Sequence, residues 1–375
     1  MNTKGAILWG VGEQWSVEEI EVGDPRQGEV TVELAASGLC HSDEHLVTGG
    51  TPVGFPALGG HEGSGVVTKV GPGVAGLQEG DHVVTAFIPA CGQCPPCAKG
   101  MQNLCDLGAH LLGGVAISDG THRVTAKGQG VSPMCLLGTF SPYITVHQAS
   151  VVKIEPSVPL EVAALVGCGV TTGWGSAVKV ASVRPGETVV VMGVGGVGMN
   201  AVQGAVAAGA RHVVVVEPVP HKRDWAKTYG ATHSFATAEE AMGAVNELTW
   251  GRMADKTIIT VGDIQGEDIQ VALSLTGKGG RVVVTGMGNY ANLDVTLSLF
   301  ELTLLQKDLQ GAIFGGLSPR AAIPELLALY QAGQLKLDEL VTTKYALEDI
   351  NQGYQDMRDG KNIRGMIVYT DADRR

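Results

Sequence analysis

Aromatic residues are scarce, 5% of 375 positions, and charged residues make up only 17% against 44% hydrophobic. That balance excludes a disordered chain, which needs much charge and little apolar content. Positive charge is the scarcer sign: 26 Lys and Arg face 38 Asp and Glu, a net charge of −12. An acidic chain without a long basic run argues against nucleic acid and anionic membrane as main partners. Residues Met1 to Gly10 lack both a basic stretch and a long apolar core, so no secretory signal is expected there. Charge is missing altogether from Val189 to Ala210, a stretch of 22 residues that is long enough to span a bilayer. It holds six glycines, Asn200 and Gln203, however, and its strand-like start breaks at Gly193, so no span is expected. The expected setting is cytoplasmic. There, thiols are metal ligands or buried residues before they are disulfides.

Glycine is what the chain has in excess, at 54 residues with no collagen-like period. Such glycines mark turns and close backbone approaches. The first third reads as strands with many turns, at Glu29–Ala35, Gly65–Val70 and His82–Phe87. Periodicity is lost between Cys91 and Ser132, as expected of a binding loop or a metal staple. From Thr188 onward short apolar runs alternate with helical segments: Thr188–Met192, Val213–Val216, Thr257–Val261, Arg281–Thr285 and Leu309–Phe314. That rhythm predicts an α/β domain, a parallel sheet covered by helices. The tail adds a helix at Ile323–Gln331 and a strand at Met366–Tyr369.

Cys91, Cys94, Cys97 and Cys105 are spaced C-x2-C-x2-C-x7-C. Four thiolates this close suit one tetrahedral zinc ion with no open position, hence a structural site. An iron–sulfur cluster is the competitor, but its bacterial pattern has three residues before the fourth cysteine and a proline after it. Here there are seven, then Asp106.

Gly193-Val-Gly-Gly-Val-Gly198 fits G-x-G-x-x-G after a strand and at the start of a helix. Gly193 permits the tight turn, Gly195 lets the backbone approach a pyrophosphate, and Gly198 allows close packing of helix on strand. Gly196 and Val197 lie in the same turn, at a helix N-terminus that suits phosphate. A second strand ends on Glu217, nineteen positions after Gly198. An acidic residue there binds ribose hydroxyls and disfavours a 2′-phosphate, so NAD is expected over NADP. Lys222 and Arg223 close by weigh against that preference.

Cys40 in Gly38-Leu-Cys-His-Ser-Asp-Glu-His45, His61 in Gly59-Gly-His-Glu-Gly63, and Cys168 in Gly167-Cys-Gly169 are each weak signals alone. In this order, together with the other motifs, nearly the whole chain resembles the zinc-dependent alcohol dehydrogenases of the medium-chain dehydrogenase/reductase superfamily. The resemblance implies a GroES-like β-rich catalytic domain over residues 1–169 and 313–375, with a structural-zinc lobe at 91–105. A Rossmann doubly wound NAD-binding domain is implied over 170–312. Two zinc ions per chain are implied, the catalytic one held by Cys40, His61 and Cys168 with an open fourth position. Such an ion lowers the pKa of a bound hydroxyl and so eases hydride release.

By the same resemblance Glu62 is a transient ligand or electrostatic tuner, and Asp43 supports His61. Ser42 accepts the alcohol proton, which passes through the cofactor ribose to His45 near solvent. Lys222 contacts the adenosine ribose, His41 and Arg364 the pyrophosphate, Thr172 the nicotinamide carboxamide, and Val197 the nicotinamide face. Phe87 and His110 are expected to line the alcohol pocket, and Cys135 to be merely buried.

Gly5-Ala-Ile-Leu-Trp9, Asn103-Leu-Cys-Asp-Leu107, Gly138-Thr-Phe-Ser-Pro-Tyr143 and Gly360-Lys-Asn-Ile-Arg-Gly365 further resemble the actinobacterial nitrosodimethylaniline-dependent nicotinoproteins. That group implies tightly bound NAD, reoxidised in place by an external acceptor linked to the peptide cofactor mycofactocin. A homodimer or dimer of dimers is implied as well. The alternatives of the same fold are an ordinary NAD-exchanging enzyme and a formaldehyde dehydrogenase or dismutase. Against a glutathione-dependent formaldehyde enzyme, Asp106 to Asp119 contains no Lys or Arg.

Overall fold

The computed structural model describes residues Met1–Arg374 and divides into two units. One comprises Met1–Cys168 and Ser318–Arg375, the other Gly169–Leu317. The chain therefore changes unit at Gly169 and returns at Ser318, where the sequence placed 170 and 313.

The first unit combines a closed five-stranded barrel with a seven-stranded sheet. At the centre of the larger sheet lies Glu29–Gly38, between Gly63–Val70 and Arg364–Val368. Its inward residues Val30, Val32 and Leu34 are fully buried, consistent with its β-branched alternation. Register then fixes function. Ser37 pairs with Gly63 and Gly38 with Met366, so the strand end leading to Cys40, the turn carrying His61 and Glu62, and Arg364 all converge. The stretch from Cys91 to Ser132 is less irregular than its composition suggests. It forms short helical turns at Pro95–Ala98, Gln102–Leu104 and Asp106–His110, then strands Val124–Ala126 and Gln129–Pro133, which complete the barrel.

The second unit is a six-stranded parallel sheet in the order His233–Phe235, His212–Val216, Thr188–Met192, Ala254–Ile259, Thr276–Val284, Asp308–Gly311. Val189, Val190 and Val191 have no exposed surface, as a strand covered on both faces requires. The chain starts in the middle and winds out both ways, leaving a switch point beside Thr188–Met192, where doubly wound sheets bind ligands. The uncharged stretch from Val189 supplies this strand and the helix Gly196–Ala207. Among the described residues no helix is long and apolar enough to cross a membrane.

Candidate metal and cofactor sites

Four side chains from the converging segments form one buried cluster. Ligand atoms of Cys40, His61, Glu62 and Cys168 all lie within 4.8 Å of one another. Gly60, at φ +87°, makes the turn that presents His61; a Cβ there would stand 2.6 Å from the Phe140 backbone nitrogen. His61 is 1% exposed, and its Nδ1 faces Asp43 Oδ2 at 3.3 Å. The other Asp43 oxygen accepts the Gly60 N–H at 2.8 Å. A carboxylate on Nδ1 turns Nε2 toward the cluster, the usual support of a metal-ligating histidine.

The charges agree with a ligand set. A hydrogen bond from Cys168 holds the Cys40 thiol well below its ordinary range against burial, with His61 and Arg364 assisting. Cys168, as the donor of that bond and buried, is pushed well up. Burial pushes Glu62 up to about 7, against the opposing pull of the Arg364 guanidinium, whose Nη2 donates to Glu62 Oε2. One nitrogen and two sulfurs with a carboxylate beside them suit zinc and leave room for a further oxygen ligand. Both cysteines are free of disulfides.

The helix His41–Val47 follows Cys40 directly. Ser42 Oγ lies 3.6 Å from Cys40 Sγ. The rings of His41 and His45 meet edge-on with centroids 5.4 Å apart. His45 is 6% exposed, where the sequence placed it near solvent; the chain folds back over it, Gly50 lying against its ring and the Thr51 N–H donating to its carbonyl. Phe87 stands edge-on to His61 at 5.9 Å between centroids. His110 is exposed at the end of its helical turn. Cys135 is half-buried, in a left-handed backbone conformation at φ +52°.

The other four cysteines also gather, their sulfurs within 4.8 Å of one another. Cys91 and Cys97 sulfurs are 3.9 Å apart, Cys94 and Cys105 sulfurs 3.8 Å. Zinc–sulfur bonds of about 2.3 Å place the corners of a tetrahedron about 3.8 Å apart. Backbone N–H groups of Cys91, Cys94 and Asp106 point at these sulfurs from 3.3 to 3.4 Å, as suits thiolates. Burial raises the Cys91 thiol, but the backbone N–H groups of Gln93 and Cys94 outweigh it and bring it to about 7. Burial pushes Cys97 up to about 12.

In the second unit Gly193 adopts φ +85°, and a Cβ on Gly198 would lie 2.0 Å from the Gly193 carbonyl oxygen. A Cβ on Gly195 would meet nothing within 4 Å. The first and third glycines are thus needed by the fold, whereas the second leaves an open cradle. Gly196 and Val197, at the start of the helix, are half-buried. Glu217 takes the Val194 N–H on one carboxylate oxygen and the Val219 N–H on the other, each at 3.0 Å. Arg223 Nη1 donates to the Glu217 and Pro218 carbonyls, at 2.7 and 2.8 Å. Lys222 is half-buried one position earlier. Thr172 Oγ1 is buried without a hydrogen-bond partner among the described residues, a free polar atom where an amide is expected. Arg364, expected at a pyrophosphate, is 5% exposed and pairs with Glu62 through Nη2, while its Nε has no hydrogen-bond partner among the described residues. The Glu62–Arg364 pairing joins residues 302 positions apart, and no local pattern announced it.

Residues 26–156 match the alcohol dehydrogenase GroES-like domain family, and residues 196–332 the zinc-binding dehydrogenase family. The chain is 60% identical over 375 residues to alcohol dehydrogenase B of Mycobacterium tuberculosis, covering 100% of both. It is 52% identical over 370 residues to the NDMA-dependent alcohol dehydrogenase of Amycolatopsis methanolica, covering 99% of this chain and 100% of that one. Among solved structures, an alcohol dehydrogenase zinc-binding domain protein from Burkholderia ambifaria superposes with a TM-score of 0.92 at 32% identity over 99% of each chain. Benzyl alcohol dehydrogenase from Acinetobacter calcoaceticus does so with 0.90 at 29% identity, over 99% of this chain and 100% of that one. With both domain families matched in order and full-length relatives at this identity, the chain belongs to the zinc-dependent alcohol dehydrogenases of the medium-chain dehydrogenase/reductase type, NAD-linked oxidoreductases that act on alcohols.

Proposed function

We propose that this enzyme oxidises an alcohol to its aldehyde using tightly bound NAD, which an external acceptor then reoxidises. The observation that carries the alcohol chemistry is the buried Cys40, His61, Glu62 and Cys168 cluster with Ser42 beside it. Cys40, His61 and Cys168 would hold a catalytic zinc, and Cys91, Cys94, Cys97 and Cys105 a structural one. When bound, zinc supplies acidification of the alcohol hydroxyl, and NAD supplies the hydride acceptor.

The chain's own residues do the rest. Asp43 orients His61, and Glu62 with Arg364 tunes the charge beside the ligands. Ser42 Oγ accepts the proton from the alcohol hydroxyl, and the His45 imidazole, three residues on in the same helix, is its final acceptor on the protein. Gly193, Gly195, Gly196 and Gly198 form the pyrophosphate turn and Val197 the nicotinamide face, with His41 and Arg364 as the further pyrophosphate contacts. Glu217 and Lys222 bind the adenosine ribose, and Thr172 binds the carboxamide. In the second unit Leu293, Leu299, Phe300 and Leu304 are 65 to 87% exposed, and Asp308–Gly311 is an edge strand of its sheet. Exposed apolar side chains and an open strand edge favour a homodimer or a dimer of dimers. The proposed setting is the cytoplasm.

Retention of NAD and use of an external acceptor, with mycofactocin as the natural one, are supported by the 52% identity to an NDMA-dependent enzyme and by the segments quoted above. The test is to dialyse purified protein exhaustively, denature it and quantify NAD(H) per chain. The dialysed enzyme is then assayed with alcohol plus nitrosodimethylaniline, and separately with alcohol plus free NAD. Near-stoichiometric NAD(H) and turnover with the dye alone are expected. An empty protein that works only with added NAD would defeat cofactor retention and leave the zinc dehydrogenase standing.

A further inference from the structure

The helix His41–Val47 has seven residues and no side-chain cap at its N-terminus. It is about 10 Å long, too short to be stable or to hold an orientation by itself. Beyond the packing of buried Leu46, its attitude comes from tethers to the surrounding chain, and four of them act along its length. Tyr354 OH donates to the Cys40 carbonyl at 3.5 Å, at the entrance. The Gly12 N–H donates to the Val47 carbonyl at 2.7 Å, at the exit. Between them two consecutive acids reach to different partners. Asp43 holds the Gly60 N–H and faces His61, whereas Glu44 Oε1 accepts from Arg358 Nη1 at 2.8 Å.

Consecutive helical residues project about 100° apart around the axis. One tether leaves a helix free to pivot; two on such diverging sides stop its rotation. Ser42 and His45 ride on that rotation. The Arg358 tether is itself held: its Nη2 donates to Gln355 Oε1 at 3.1 Å, and both residues belong to the helix Ile350–Arg358. That helix is anchored through Tyr354, 1% exposed, whose ring stacks on Trp15 at 6.1 Å. Glu44 is 9% exposed, and its Oε2 has no hydrogen-bond partner among the described residues, so Arg358 is the charge that compensates it. Loss of that partner leaves a buried carboxylate unpaired, which drives the segment to move.

We propose that Arg358, through Glu44, fixes the rotation of the His41–Val47 helix and thereby holds Ser42 and His45 in register for proton transfer. Arg358 is a positioning residue, 314 positions from the residue it pairs with. The inference rests on the reading of Ser42 and His45 as the proton path. Reactive geometry is unforgiving: a displacement of about 1 Å costs on the order of 100-fold in rate.

The test compares Arg358→Gln, Arg358→Lys, Glu44→Gln and Ser42→Ala with the parent, all carrying zinc and NAD. Read out are the rate of first cofactor reduction by alcohol, its solvent deuterium isotope effect, the alcohol KM, and hydrogen exchange of the Cys40–Val47 peptide. Arg358→Gln is expected to slow reduction about 10- to 100-fold, with little change in KM, a larger isotope effect and faster exchange in that peptide. Arg358→Lys, which keeps the charge and one donor, is expected to recover most of the rate. Glu44→Gln, which removes the other end, should reproduce the Arg358→Gln phenotype. If Ser42→Ala is slow while both Arg358→Gln and Glu44→Gln keep the parental rate and exchange, the positioning role is overturned. If Ser42→Ala itself keeps the parental rate, the proton path is wrong and the inference falls with it.

Discussion

Asp43 Oδ2 stands 3.3 Å from His61 Nδ1, and both side chains are almost wholly buried. Burial disfavours a protonated His61, but the Asp43 and Cys40 charges outweigh it and raise its pKa well above normal. This carboxylate determines which ring nitrogen faces the sulfurs of Cys40 and Cys168. Asp43→Asn keeps the shape and removes the charge. It is expected to weaken catalytic zinc about 10- to 100-fold, measured by chelator competition, while the four-cysteine zinc is unaffected.

The cofactor loop separates two uses of glycine. Gly195→Ala places a methyl group in open space at an ordinary φ of −74°, so folding should be unchanged while NAD affinity falls. Gly198→Ala forces a Cβ against the Gly193 carbonyl oxygen and should lower the melting temperature as well. Calorimetry with and without NAD distinguishes them. Equal melting temperatures for the two variants would contradict the assignment.

Local spacing made much of this legible. Four cysteines within fifteen residues, or three glycines after a valine run, carry their chemistry in the sequence because the contacts they make are short-range. The doubly wound sheet was legible for the same reason, as each strand is a brief apolar run between helices. Long-range pairings were not. Glu62 with Arg364, and Glu44 with Arg358, join segments brought together only by the register of Glu29–Gly38 with its two neighbours. Burial of His45 was missed because it depends on a loop folding back, which no charge or periodicity encodes. The strands Val124–Ala126 and Gln129–Pro133 are too short to show alternation.

The four-cysteine lobe is expected to be a folding element. Cys91→Ser should leave one zinc per chain and lower thermal stability, because the sulfurs then lose the ion that keeps them together. Metal analysis beside a melting curve checks this. Normal stability with one zinc would remove the structural role.

The exposed face of the second unit gives a separate expectation. Leu299 and Phe300 are 71 and 74% exposed in the single chain. Replacing both with Glu should shift sedimentation from dimer to monomer while the far-ultraviolet spectrum stays the same. A parent protein that is already monomeric at assay concentration would contradict the dimer.

Alcohol chemistry in this enzyme requires the cluster of Cys40, His61 and Cys168 to be the catalytic metal centre. The most direct measurement is zinc per chain and alcohol turnover, side by side, in the parent and in Cys168→Ala. Two zinc ions and activity are expected for the parent, and one zinc, an intact fold and no measurable turnover for the variant. Two zinc ions retained in Cys168→Ala, or substantial turnover without the second, would contradict this assignment.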